Sequence, residues 1–202
     1  MSSSLAQPAS PLRAICVYCG SSNDGPRSHR EAAFRFGAQL ASEGIDLVYG
    51  GGRVGLMGAV ADGAITGGGR VVGIIPEHLM RAEVGHGQVS ELHVVPSMHV
   101  RKEMMFARSD GFAVLPGGPG TLDEMFEILT WPQLSLHDKP LVVCNLDGYW
   151  SKLLGAIDGI IESRYAKPSF RDFYRVVDTI DDLLPALRAA PASRTQPQPA
   201  KF

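Results

Sequence analysis

The residues whose types and spacing could do chemistry lie in one short stretch, Pro116-Gly117-Gly118-Pro119-Gly120-Thr121-Leu122-Asp123-Glu124. Its glycines and prolines break any regular element. It follows the apolar segment 112–115, of the kind that forms a buried parallel strand. Beyond it, Leu122, Met125, Phe126 and Leu129 recur at the spacing of one helix face. A strand, a glycine loop and a helix start aim backbone N–H groups and the positive end of a helix at one point, which suits an anion such as phosphate. Glu124 places a carboxylate in the first turn beside that point. An acid next to an anion cradle is electrostatically unfavourable unless it does chemistry or pairs with a base, and Arg101-Lys102 could supply the base.

Each of these residues also has a plainer reading. Thr121-Leu122-Asp123-Glu124 matches a capping box, in which Thr121 caps the helix and Glu124 bonds back to it. Arg101 and Lys102 could form a solvated charge pair on a helix surface. Met98, Met104, Met105 and Phe106 sit on the same helix, however, so much of it is buried, and Arg101, Met105 and Arg108 share one face. His99 reads as structural, because the histidines show no metal-ligand spacing such as H-E-x-x-H. Cys16 and Cys19 form a C-x-x-C, but Cys16 lies inside the apolar run 14–18, where positions three apart point to opposite faces of a strand. There is no second ligand pair for zinc, so Cys16 reads as core and Cys19 as the strand's end.

The glycine loops fit neither of the common nucleotide signatures. Gly118-Pro119-Gly120-Thr121 lacks the lysine and spacing of a P-loop, and no G-x-G-x-x-G follows the first strand. A mononucleotide phosphate held by backbone and hydroxyl groups is the simpler reading.

Around this stretch, the pattern alternates between strands and helices. Strands are predicted at 13–18, 46–49, 71–75, 91–95, 112–115, 139–144 and, at an edge, 174–177. Helices are predicted from Pro26 to Gly44, from 56 to about 67, over 97–109, from Thr121 onward, over 149–163 and over 180–187. Residues 81–87 read as an exposed, mobile loop. The pattern specifies an α/β fold, a Rossmann-like doubly wound parallel sheet with helices on both faces, in a single domain over 13–188. The segments 1–12 and 189–202 read as flexible tails. Such sheets bind ligands where the strands' carboxyl ends meet at a reversal of strand order. Three strands end in small loops that should share that edge: Cys19-Gly20-Ser21-Ser22, Gly50-Gly51-Gly52 and Pro116 to Gly120. Ser21 offers a hydroxyl there.

Composition narrows the class. With 202 residues, 45% hydrophobic and 20% charged, the chain suits one well-filled globular domain. A net charge of -2 argues against nucleic-acid binding. No run approaches the roughly 20 apolar residues of a membrane span. The start lacks the regions of a signal peptide, and three cysteines cannot all pair, so a cytoplasmic location is expected.

Three segments together resemble one family: residues 49–58 (Y-G-G-G-R-V-G-L-M-G), Met98-His99-Val100-Arg101-Lys102 and the stretch from Pro116 to Glu124. They resemble the Lonely Guy family of cytokinin riboside 5′-monophosphate phosphoribohydrolases. The resemblance continues through Thr130-Trp131, Gln133-Leu134, 137–140 and 145–149, and covers roughly 14–187. It implies hydrolysis of the N-glycosidic bond of an adenine-type nucleoside 5′-monophosphate, AMP-like or prenylated, to free base and ribose 5-phosphate. It implies Arg101 and Glu124 as the catalytic pair, with Glu83, Lys102, Gly117, Gly118, Gly120, Thr121 and Thr130 at the substrate. It implies no cofactor and no metal. Members often carry a lysine decarboxylase label, for which the sequence offers no pyridoxal phosphate signature. It also implies a homodimer, and Ile128 and Trp131 extend the apolar arc of their helix beyond what one sheet face requires. Two other readings stay open: a broader AMP nucleosidase-like hydrolase, and a nucleotide or molybdenum-cofactor carrier on the same fold.

Overall fold

The computed structural model describes residues 12–80, 85–134 and 136–189. Seven strands, β1 (Ala14–Tyr18), β2 (Asp46–Tyr49), β3 (Val71–Pro76), β4 (Glu91–Val95), β5 (Gly111–Val114), β6 (Leu141–Cys144) and β7 (Arg175–Val177), form one sheet in the order β4-β3-β2-β1-β5-β6-β7. Every neighbouring pair is parallel. The inner strands are apolar because helices cover both faces, and all five residues of β1 are buried.

Among the described residues, five α-helices join the strands, α1 (Arg27–Ser42), α2 (Gly55–Thr66), α3 (Met98–Ala107), α4 (Pro119–Thr130) and α5 (Ser151–Glu162), and a sixth, α6 (Leu183–Arg188), follows β7. Alternation along β1 divides the core. Ile15 and Val17 pack with Phe36 and Leu40 of α1, Val60 of α2 and Leu187 of α6. Cys16 and Tyr18 pack with Met105 of α3, Met125 and Leu129 of α4 and Ile157 of α5. The fold is therefore the doubly wound α/β sheet expected. The chain builds outward from β1 to β4, then crosses back to lay β5 on the other side of β1. That reversal leaves a crevice beyond the carboxyl ends of β1 and β5.

Several details differ from the sequence reading. Helix α4 begins at Pro119, two residues before Thr121, because proline is pre-set for the first helical position and needs no N–H acceptor there. Tyr149 precedes α5 and follows a one-turn 3-10 segment, Leu146–Gly148. Residues 81–84 lie outside the described residues, but the rest of that stretch is not an exposed loop. Gly85 bridges Gly52, and His86 is fully buried, its Nε2 3.0 Å from Asp62 Oδ1 and its N–H donating to the Gly51 carbonyl at 3.1 Å. The Asp62 contact and the Gln88 N–H, which donates to Nδ1 at 3.3 Å, satisfy the imidazole and let it enter the interior. Ile128 is buried in the chain's own core, and Trp131 packs edge-on against Phe106, so their apolar surface is used within the subunit. Cys16, Cys19 and Cys144 form no disulfide with one another and are buried, and burial pushes the Cys144 thiol up to about 11. Among the described residues, no helix is long and apolar enough to cross a membrane.

Candidate active site

The three loops expected on one edge meet there and are tied together by backbone. The Gly20 N–H donates to the Pro116 carbonyl at 3.0 Å, and the Leu56 N–H donates to the Gly20 carbonyl at 2.9 Å. The Gly55 N–H donates to Asn23 Oδ1 at 3.0 Å. Gly55 has φ +64, and a Cβ there would stand 2.6 Å from Ser22 O, so only glycine fits this junction. Gly117 is equally confined, since a Cβ would lie 2.1 Å from Thr121 Oγ1 and 2.9 Å from Gly20 N. Beyond these ties opens a cavity of about 430 Å³, the size of a small-molecule site.

Seven of the expected site residues line it. Ser21 comes from the loop after β1, and Gly117, Gly118, Gly120 and Thr121 from the loop and first turn of α4. Arg101 and Glu124 form its charged wall. The first internal bond of α4 runs from Leu122 N–H to the Gly118 carbonyl at 3.1 Å, so the N–H groups of Gly120 and Thr121 precede the ladder at the helix's positive end.

Arg101 is 5% exposed on α3. Its Nε donates to the Ile74 carbonyl at 3.1 Å and its Nη2 to the Gly50 carbonyl at 3.0 Å, so the guanidinium spans the ends of β3 and β2. Its Nη1 lies 3.7 Å from Glu124 Oε1, and the two side chains are 6% and 8% exposed. Gly50 makes room for this, because a Cβ there would stand 2.0 Å from Arg101 Nη2.

The capping box does not form. Gly118 holds the cap position, no side chain caps the helix, and Glu124 therefore lies in the second turn rather than the first. With the helix starting at Pro119, Thr121 is its third residue rather than its cap. Glu124 is buried against Arg101 instead.

Two expected residues lie elsewhere. Lys102 does not line the cavity; its Nζ bonds Asp123 at 3.0 Å and Glu127 at 2.9 Å. Burial disfavours that ammonium, but the two carboxylates outweigh it and hold its pKa above the ordinary lysine value. Thr130 ends α4, exposed, with Oγ1 donating to the Glu127 carbonyl at 2.9 Å. Glu83 lies outside the described residues.

The sequence reading missed two further lining residues, His29 and Tyr149. His29 belongs to the same helical stripe as Ala32, Ala33 and Phe36, and that spacing was the available signal. Cys16 and Tyr18 lie behind the site, and burial raises both their pKa values far above the ordinary, so neither supplies a nucleophile. A buried carboxylate beside a guanidinium, lining the same cavity as a helix N-terminus, can hold a phosphate ester and stabilise positive charge at a neighbouring carbon.

Comparison with known proteins shows the family. Residues 57–187 match the family model described as "Possible lysine decarboxylase". A decarboxylase using pyridoxal phosphate would need a lysine at the cofactor, and among the described residues none lines the cavity. A cytokinin riboside 5′-monophosphate phosphoribohydrolase of Arabidopsis thaliana is 45% identical over 178 residues, covering 88% of this chain and 83% of that one. A protein of Oryza sativa subsp. japonica named a probable enzyme of the same kind is 45% identical over 180 residues, covering 89% and 72%. The molybdenum cofactor carrier protein of Chlamydomonas reinhardtii is 20% identical with a TM-score of 0.67, covering 88% of this chain and 97% of that one, a likeness of fold.

Proposed function

The chain belongs to the Lonely Guy family of cytokinin riboside 5′-monophosphate phosphoribohydrolases, and on that premise we propose how this cavity hydrolyses its substrate. The substrate is an N6-substituted adenine riboside 5′-monophosphate. The bond broken is the N-glycosidic bond, and the products are free base and ribose 5-phosphate. One observation carries the assignment: Glu124 and Arg101, buried and 3.7 Å apart, face the same cavity as the N-terminus of α4.

The 5′-phosphate would bind the N–H groups of Gly118, Gly120 and Thr121, with the Ser21 hydroxyl facing them from the loop after β1. A Cβ on Gly118 or Gly120 would meet nothing within 4 Å, so packing does not require glycine there. Close approach of a ligand to bare backbone does. Anchoring the phosphate places the anomeric carbon at the carboxylate, so that binding energy far from the reacting bond fixes the reacting geometry. As the bond to the base lengthens, positive charge grows on the ribose, and the Glu124 carboxylate stabilises it. Glu124 also orients the water that adds to the sugar and accepts its proton. Arg101, 3.7 Å from the carboxylate, holds it in place.

Lys102, Thr130 and Glu83 belong to the proposal as further substrate contacts. Lys102, on α3 and paired with Asp123 and Glu127, and Thr130, at the end of α4, lie outside the cavity, so they would meet substrate only from a second subunit. We place a homodimer contact there. Leu134 and Leu136, 68% and 62% exposed just beyond α4, give that surface its apolar character. Three cysteines without a disulfide among them fit a reducing compartment, which we take to be the cytoplasm.

Incubation with a panel of purine nucleoside 5′-monophosphates, read as free base released, tests the assignment. Faster release from isopentenyladenosine monophosphate than from AMP is expected. Equal rates would assign a broader AMP nucleosidase, and no release from any of them would leave a carrier.

A further inference from the structure

The peptide that opens the phosphate cradle is held by a side chain from a distant loop. The Tyr149 hydroxyl donates to the Gly117 carbonyl at 2.7 Å. In a trans peptide the carbonyl of Gly117 and the N–H of Gly118 point in opposite directions. The hydroxyl therefore fixes the direction of the Gly118 N–H, at the cap of α4. Gly117-Gly118 is a glycine pair with wide backbone freedom, so a bond at this peptide removes more disorder than it would elsewhere.

Tyr149 is itself braced from both sides. His29 meets its ring edge-on, with centroids 5.9 Å apart, and Trp150 does so at 4.7 Å. His29 also reaches the turn that presents Tyr149, its Nε2 lying 3.3 Å from Asp147 Oδ2. Asp147 has φ +53, a left-handed conformation that a non-glycine residue keeps only when neighbours hold it. Asn145 braces the same turn, its Oδ1 accepting the Trp150 N–H at 2.8 Å. His29 is 4% exposed, Tyr149 is half-exposed, and both line the cavity.

We propose that Tyr149, held by His29 through Asp147, is a positioning residue that orients the cradle and so sets its affinity for a sugar 5-phosphate. The inference rests on reading the cavity as a nucleoside monophosphate site.

Calorimetric titration of the full chain with ribose 5-phosphate, and separately with adenine, tests the clamp. Tyr149→Phe keeps the ring between His29 and Trp150 and removes only the donor. It is expected to weaken ribose 5-phosphate binding by about five- to tenfold, the range of one hydrogen bond, while adenine binding stays within about twofold. Because His29 acts through Tyr149, adding His29→Ala to Tyr149→Phe should weaken ribose 5-phosphate binding no further. Wild-type affinity in Tyr149→Phe, equal loss of both ligands, additive losses in the double variant, or no ribose 5-phosphate binding by the wild type would each overturn the clamp. Base release by the wild type is measured separately. Its absence would overturn the hydrolase reading, while the binding comparison would still decide the clamp.

Discussion

Arg101 Nη1 lies 3.7 Å from Glu124 Oε1, while the same guanidinium donates to the carbonyls of Ile74 and Gly50. The arginine is thus fixed first by backbone at the ends of two strands and meets the glutamate mainly through charge. That division makes its role testable. Arg101→Met would take the cation away from a buried carboxylate and the donors away from two carbonyls, and a loss of about 3–5 kcal/mol in folding stability is expected by chemical denaturation. Arg101→Lys keeps the charge but not the fork, and should fold while losing about 100-fold in kcat/KM.

Gly50 is required by Arg101 rather than by its own backbone. In Gly50→Ala the new methyl would stand 2.0 Å from Nη2 and 2.8 Å from Met57 Sδ. The guanidinium must leave the Gly50 carbonyl, and kcat/KM should fall by about tenfold or more. A wild-type kcat/KM would show that this arginine contact is dispensable.

Gly118 and Gly120 should behave in the opposite way. Nothing lies within 4 Å of a Cβ at either position. Gly120→Ala, inside α4, should raise stability by up to about 1 kcal/mol through helix propensity. Both alanine variants should nevertheless raise KM, because the methyl stands where the phosphate approaches. Unchanged KM in both would move the phosphate away from this helix end.

His137 should make stability depend on pH. Its Nε2 donates to the Ile128 carbonyl at 3.1 Å, and its Nδ1 accepts the Lys139 N–H at 3.1 Å, so both nitrogens are engaged only in the neutral ring. Burial is the main cause holding its pKa below the ordinary 6.5. The unfolded chain then binds the proton more readily, so stability is complete above about pH 6.5 and falls as pH drops toward the lowered folded value. Melting temperatures at pH 7.5 and 5.5 should show this decline, and His137→Gln should reduce it.

The sheet was legible because its strands are apolar runs separated by amphipathic helices, and burial on both faces writes that pattern directly into the residues. The convergence of the loops after β1, β2 and β5 followed from topology alone. Other features depended on contacts distant in sequence. Pro119 moved the start of α4 and removed the capping box, an outcome decided by which of two overlapping local signals prevails. His86 lies in a polar, glycine-containing stretch, and only the position of Asp62 on a neighbouring helix explains its burial. Tyr149 reaches Gly117 across 32 residues, a separation at which no periodic signal survives.

The most direct test concerns Glu124. Free base released from isopentenyladenosine 5′-monophosphate should be measured for the wild type and for Glu124→Gln, with ribose 5-phosphate affinity measured alongside. Removing the carboxylate's charge should lower kcat by about 10²–10⁴-fold while ribose 5-phosphate affinity stays near that of the wild type. Turnover by Glu124→Gln at the wild-type rate would contradict the assignment of this residue to the chemistry.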